Sequence, residues 1–187
     1  MKKLLATALF ATLSAASFAS AAATDWNADK AASTLTFTGA AEGESFTGQF
    51  KEFTPKIRFD PADLADSKFD VTIQLASADS ANTERDEILQ GNDFFNTAKT
   101  PQSTYVATAF RDLGNGKFAA DGTLTLRGVS KPVTLEFTWT SDGTNATLDG
   151  SAVVNRLDFN VGAGDWADAS TIVHEIGVTT TLKLSAH

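Results

Sequence analysis

Cysteine is absent from the 187 residues, so the chain has neither a disulfide framework nor thiol chemistry, and its stability must come from burial. Histidine occurs twice, at His174 and His187, and a single histidine with no second one nearby makes no metal site. Basic residues are scarce: 15 Lys and Arg stand against 23 Asp and Glu, a formal net charge of −8. That balance argues against nucleic acid as a partner and makes an anionic membrane surface repulsive on average. No helical run long enough for a parallel crossover separates the strand-like segments, which excludes a βαβ fold. No serine, histidine and aspartate stand in the order or context of a nucleophilic triad, and carboxylates such as Asp165 and Asp168 are what an acidic chain carries anyway. A hydrolase is the weakest of the functional alternatives.

The N-terminus is distinctive. Lys2 and Lys3 precede an apolar run from Leu4 to about Phe18, followed by small residues through Ala23. The run is shorter than the roughly 20 residues that cross a bilayer, and the pattern is that of a secretory signal peptide over residues 1–23. Export to the periplasm follows as the expected localisation. Without those two lysines 13 basic residues remain against 23 acidic, a formal net of −10. Residues 24–187 then form one domain large enough for a sizeable core.

From Ser33 onward apolar residues recur with period two, the mark of strands with one buried face. Leu35 and Phe37 begin it, and a parity slip between Phe50 and Ile57 predicts a bulge near Lys51–Pro55. Phe69, Val71, Ile73 and Leu75 give the cleanest run; Thr104–Phe110 is ambiguous between its faces. Further runs start at Phe118, Val133, Leu148 and Ile172, making about eight strands. Asn115-Gly116, Asp142-Gly143 and Gly128 mark turns of an antiparallel meander. Closure into a barrel removes both edges, pairing Leu35–Phe37 with Val178–Leu184. A sandwich is the alternative, and alternation alone does not separate an apolar lumen from the lipid-facing pattern of a membrane barrel.

One stretch breaks the strand pattern. Glu84–Pro101 reads as a short helix, capped by Thr83 or Asn82 and stopped by a left-handed Gly91. So short a helix must dock to survive. Ile88, Leu89, Phe94 and Phe95 form an apolar cluster, so residues 83–95 read as a plug over one end of the barrel, which favours the apolar-lumen form. An eight-stranded barrel either fills with side chains or leaves room for one small ligand. Gly48, Ala120, Gly122, Gly150 and Ala152 among the large inward residues fit room and close packing equally.

Arg85-Asp86, Leu89, Asp93-Phe94-Phe95 and Pro101 resemble the signature of the YceI-like, polyisoprenoid-binding proteins. Gly48-Gln-Phe50, Phe53 and Phe59-Asp60 fall in the family's order, as do Gly122 to Leu126, Gly128 to Val133 and Arg156-Leu-Asp158-Phe159. The resemblance covers about 150 residues. It departs where many members carry a His-Leu-Gly turn; here the place reads Gly39-Ala-Ala-Glu-Gly-Glu-Ser. The resemblance implies a lipocalin-like all-β barrel that encloses an isoprenoid lipid, a quinone type included, as carrier or store, with no other cofactor. It also implies a homodimer as the family's assembly and a membrane cytochrome of the b561 type as a partner, the protein then serving as an interaction module for quinone exchange.

On that reading the tunnel wall comprises Phe37, Phe50, Phe69, Ile73, Phe118, Leu135, Phe137 and Trp139, with Leu89, Phe94 and Phe95 near the plug. Arg85 and Asp86 are head-group candidates, although pairing of Arg85 with a strand-end carbonyl or carboxylate is the more ordinary reading. Arg156 shares the parity of Val154 and is placed to enter the barrel beside Asp158, and a buried arginine needs that partner or another. His174 reads as a hydrogen-bonded wall residue, and Asn155–Trp166, ending in Trp166, as a rim or gate.

Overall fold

The computed structural model of the chain describes residues 23–187. The expected leader lies outside them, apart from Ala23, which is buried. The strands are β1 (Asp25–Ala28), β2 (Thr34–Ala41), β3 (Glu44–Phe50), β4 (Phe53–Arg58), β5 (Lys68–Gln74), β6 (Ala78–Asp79), β7 (Gln102–Gly114), β8 (Lys117–Leu126), β9 (Val129–Ser141), β10 (Asn145–Asn155) and β11 (Glu175–Ala186). Among the described residues a single α-helix, α1 (Thr83–Gln90), lies between β6 and β7.

Eight of these strands close a ring, in the order β1, β4, β5, β7, β8, β9, β10, β11, with β11 pairing back onto β1. Every neighbour is antiparallel, so the fold is the closed barrel rather than the sandwich. The first and last strands meet as expected: β11 pairs Val178 with Phe37 and Thr180 with Leu35 on β2, and further along pairs Leu184 with Ala28 on β1. β1 and β2 are thus two halves of one wall, and β3 and β4 of the next. The slip between these last two falls at Lys51-Glu52, where the Lys51 N–H leaves the ladder and donates to the Ser77 carbonyl at 3.1 Å. Gly48 is buried before the slip, Pro55 and Ile57 after it.

The ambiguous segment is resolved by a second irregularity. Ser103, Tyr105 and Ala107 are buried, a register shift intervenes between Ala107 and Ala109, and Phe110 joins the core with opposite parity. Asn115 and Gly116 take φ of 54° and 74°, the two left-handed residues of a hairpin turn that follows strand twist. At the other end β9 and β10 part. Their register stops at Ser151 with Glu136, and Val129–Leu135 pairs with β8 alone. Pro132 falls in this stretch, opposite Thr123 of β8 and with no partner on β10, the edge-like position where a sheet tolerates proline.

Gly91 departs from expectation. Its φ of −66° and ψ of 169° are extended, not left-handed, and the left-handed residue comes at Asn96, φ 51°. Glycine relieves crowding at 91, since a Cβ there would lie a tight 3.1 Å from the Ile88 carbonyl oxygen. The Asn82 side chain caps α1 by accepting from the Arg85 N–H at 3.0 Å.

Apolar residues face inward along the strands and segregate into two groups. Near one end Phe59, fully buried, touches the rings of Phe69, Phe110, Phe118, Phe137 and Trp139, with centroids 4.8 to 6.0 Å apart. Trp26 stands edge-on to Trp139 and donates its indole N–H to the Phe59 carbonyl at 2.9 Å. The second group, including Phe37, Leu75, Leu89, Phe94, Phe95, Phe159 and Val161, gathers beneath α1 and the loops beside it.

Candidate functional site

Between these two groups the lumen is open. A cavity of about 590 Å³ runs from a floor at Ile57, Phe69, Leu148 and Leu182, past Leu35, Val71, Tyr105, Leu124 and Val133, to a mouth between α1 and the β2–β3 hairpin. The mouth is lined by Glu42, Phe46, Glu84, Arg85, Ile88 and Ile172. Its size lies within the range of small-molecule sites.

The wall is almost wholly apolar, and the polar groups on it are already bonded to the barrel itself. The Tyr105 hydroxyl donates to the Ala120 carbonyl at 2.8 Å and reaches the Val133 carbonyl at 3.3 Å. Burial pushes its pKa up to about 12. The Ser103 hydroxyl donates to the Thr125 carbonyl at 2.8 Å. A guest in the lumen therefore meets hydrocarbon and no free polar partner.

Three of the inward glycines do not supply the room. A Cβ on Gly48 would stand 2.3 Å from the Phe37 ring, one on Gly122 2.6 Å from the Tyr105 ring, and one on Gly150 3.1 Å from Leu135. Each is overlaid by a large side chain of the adjoining strand, the close-packing alternative for these residues. Ala120 is buried in the aromatic end, whereas Ala152 lines the cavity.

Of the candidate wall residues, Phe37, Phe50, Phe69, Ile73, Leu89, Phe94, Phe95 and Leu135 border the cavity. Phe118, Phe137 and Trp139 do not. They lie beneath the floor within the aromatic group, because period two fixes which face a residue takes and says nothing of its depth along the barrel. Phe46, Leu124, Leu126 and Val154 lie on the wall and belong to runs legible in the sequence, so the signal for them was present; Tyr105 was hidden by the bulge in β7.

The polar candidates separate. Arg85 lies at the mouth with its guanidinium carbon 4.4 Å from the centroid of the Phe46 ring, in place of a carbonyl or carboxylate partner. Asp86 points elsewhere, accepting from the Ser80 N–H at 2.8 Å and its hydroxyl at 2.7 Å, which ties α1 to the segment after β6. Arg156 is buried and enters the barrel as its parity requires, but Asp158 is exposed and not its partner. Arg156 instead donates to the carbonyls of Val173 at 3.0 Å, Val161 at 3.0 Å, Trp166 at 2.7 Å and Ile172 at 2.9 Å, and to that of Gly162. Desolvation lowers its pKa. The guanidinium thereby knots the chain from 161 to 173 into a cap over the open end, where Trp166 meets Phe94 edge-on at 5.6 Å. His174 lies outside the cavity lining, its Nε2 2.8 Å from the Ala167 carbonyl oxygen. From the turn after β8, Arg127 holds the segments beside the cap, donating to the carbonyls of Asp93 at 2.9 Å, Asn92 and Asn160.

A YceI-like domain profile matches residues 26–185. The chain belongs to the YceI-like family. It is 36% identical over 167 residues to a UPF0312 protein of Shewanella denitrificans, covering 86% of this chain and 87% of that one. Protein YceI of Escherichia coli O6:H1 is 37% identical over 170 residues, covering 86% and 88%. Among solved structures, Burkholderia cenocepacia BcnA superposes with a TM-score of 0.80 at 31% identity, over 84% of this YceI-like chain and 99% of that one. A polyisoprenoid-binding domain of Saccharophagus degradans shares the fold at a TM-score of 0.67 and 19% identity, over 87% and 98%.

Proposed function

We infer that this YceI-like protein is a periplasmic lipid-binding protein that encloses the tail of one isoprenoid lipid, as carrier or store. The observation that carries the reading is the lumen itself: a deep cavity of about 590 Å³ whose inner polar groups are all bonded to the wall. Each methylene transferred from water into such a space contributes roughly 0.8 kcal/mol, so a few isoprene units bind without any charged contact. The barrel shared with the polyisoprenoid-binding domain of Saccharophagus degradans supports the same choice of ligand class. Passing the load to a membrane partner, such as a b561-type cytochrome, is the step that would make the protein a carrier rather than a store.

Mass spectrometry of an organic extract of natively purified protein tests this. A single isoprenoid species near one per chain is expected. Protein that emerges empty, and stays empty after incubation with prenyl lipids, contradicts it.

A further inference from the structure

Ala23 belongs to the barrel rather than to the leader expected to end on it. It is 4% exposed, and its backbone N–H donates to Asp66 Oδ2 at 3.3 Å. The residues after it join the wall at once. The Thr24 carbonyl accepts from the Phe59 N–H at 2.9 Å, and Asp25 and Trp26 stand in register with Arg58 and Ile57. All of this lies at the closed end, where Trp26 also pairs with Ala186, the far end of β11 from the mouth.

Two carboxylates share one cation beside Ala23. Arg58 holds Asp25 through two bonds of 3.1 Å and reaches Asp66 Oδ1 only at 3.6 Å. Among the described residues neither carboxylate has another ion-pair partner. The second oxygen of Asp66 is turned to the Ala23 nitrogen. A backbone amide there offers one hydrogen and no charge. An α-ammonium in its place offers three donors and completes an alternating row of ammonium, Asp66, Arg58 and Asp25, with a charge-assisted bond in place of a weaker one.

The sequence supplies the bond whose cleavage makes that ammonium. Signal peptidase reads small residues at the first and third positions before the cut. Three successive bonds satisfy it: after Ala21, with Ala19; after Ala22, with Ser20; and after Ala23, with Ala21. The barrel separates them. A cut after Ala23 discards a residue that the fold buries and bonds. A cut after Ala21 carries the charge to Ala22 and keeps an amide before Asp66. Only the middle bond puts the new ammonium on the nitrogen that Asp66 faces.

We propose that the leader is removed between Ala22 and Ala23 and that Asp66 receives the ammonium so created, pinning the mature N-terminus to the 60–67 loop at the closed end. Hydrolysis of that peptide bond consumes one water; the leader leaves with a carboxylate on Ala22, and the barrel keeps the amine, which takes up a proton. The mature chain is then 23–187, one residue longer than the sequence pattern alone suggests. The proposal rests on the export reading above and is independent of what the cavity holds. Because Arg58, Asp25 and Asp66 are half-exposed, the row adds little stability, and the test reads the amine itself.

The full chain, expressed with its own leader and recovered from the periplasmic fraction, is weighed intact by mass spectrometry. A chain starting at Ala23 is expected. One starting at Ala22 or Thr24 overturns the site, and an unprocessed chain overturns the export reading with it. The amine is then acetylated with limiting acetic anhydride at pH 7, and its rate is compared with that of a free peptide of residues 23–26. Wild type should react about threefold more slowly or less, because a paired ammonium resists losing its proton. Asp66→Asn keeps an acceptor without the charge and should recover most of the peptide's rate. Equal rates in wild type and Asp66→Asn overturn Asp66 as the acceptor.

Discussion

The two ends of the barrel use the same strands for opposite purposes. At one end seven aromatic rings, those of Trp26, Phe59, Phe69, Phe110, Phe118, Phe137 and Trp139, pack against one another, and the lumen is full. At the other the inward residues are chiefly Leu, Val and Ile, and they face one another across empty space. The densest aromatic packing thus lies at the end the cavity does not reach. The cavity end has its own buried group beneath α1, including Phe37, Leu75, Leu89, Phe94, Phe95 and Phe159, and adds the bonds of Arg156 and Arg127 to backbone carbonyls and those that dock α1.

The contrast can be broken most forcefully from the closed end. Phe59→Ala leaves a hole among five rings and should cost about 3–5 kcal/mol, lowering Tm by roughly 10 °C in a domain of this size. Differential scanning calorimetry reads it, and a loss under about 1 kcal/mol would mean the aromatic end is not the anchor. Next comes Arg156→Met, which strips five buried or half-buried carbonyls of their donor; a loss of about 2–4 kcal/mol is expected from denaturant unfolding, with hydrogen exchange rising first between Val161 and Val173. Uniform exchange changes across the barrel would argue against a separately fastened cap.

Ile73→Trp sharpens the comparison from the open end. It puts extra volume into the cavity and should change stability by less than about 1 kcal/mol while sharply reducing bound lipid in the extract. The same exchange at Phe137, beneath the floor, should do the reverse, overpacking the core by about 1–3 kcal/mol and leaving ligand preference alone. The smallest effect is a pH effect. The folded pKa of Tyr105, about 12, lies above its unfolded value near 10, so the contribution is complete below pH 10 and is lost as pH rises toward 12. Tyr105→Phe should flatten stability against pH in that window by at most about 2 kcal/mol.

How much of this was legible beforehand depends on which physical quantity a residue reports. Period two carried the faces of Phe37, Ile73 and Leu135 correctly, and the turn dipeptide Asn115-Gly116 and the parity slip before Ile57 carried the topology. Depth was not legible: Phe69 and Phe137 both sit in alternating runs, yet one forms the cavity floor and the other lies under it. Partners of charged groups were not legible either. Asp158 stands two residues from Arg156 and was its natural partner, but a short 3-10 turn from Arg156 to Phe159 leaves it exposed while carbonyls some 5 to 17 residues away converge on the guanidinium. Gly91 shows the same limit, since a glycine that relieves crowding and one that takes a left-handed φ look alike in sequence.

A crystal structure of protein purified without detergent or solvent extraction tests the account most directly. Continuous density for one hydrocarbon chain is expected from the floor at Phe69 to the mouth at Arg85, with its polar end beside the guanidinium. A lumen collapsed by inward movement of Leu124, Val133 and Leu135, leaving no passage for a chain, would contradict it.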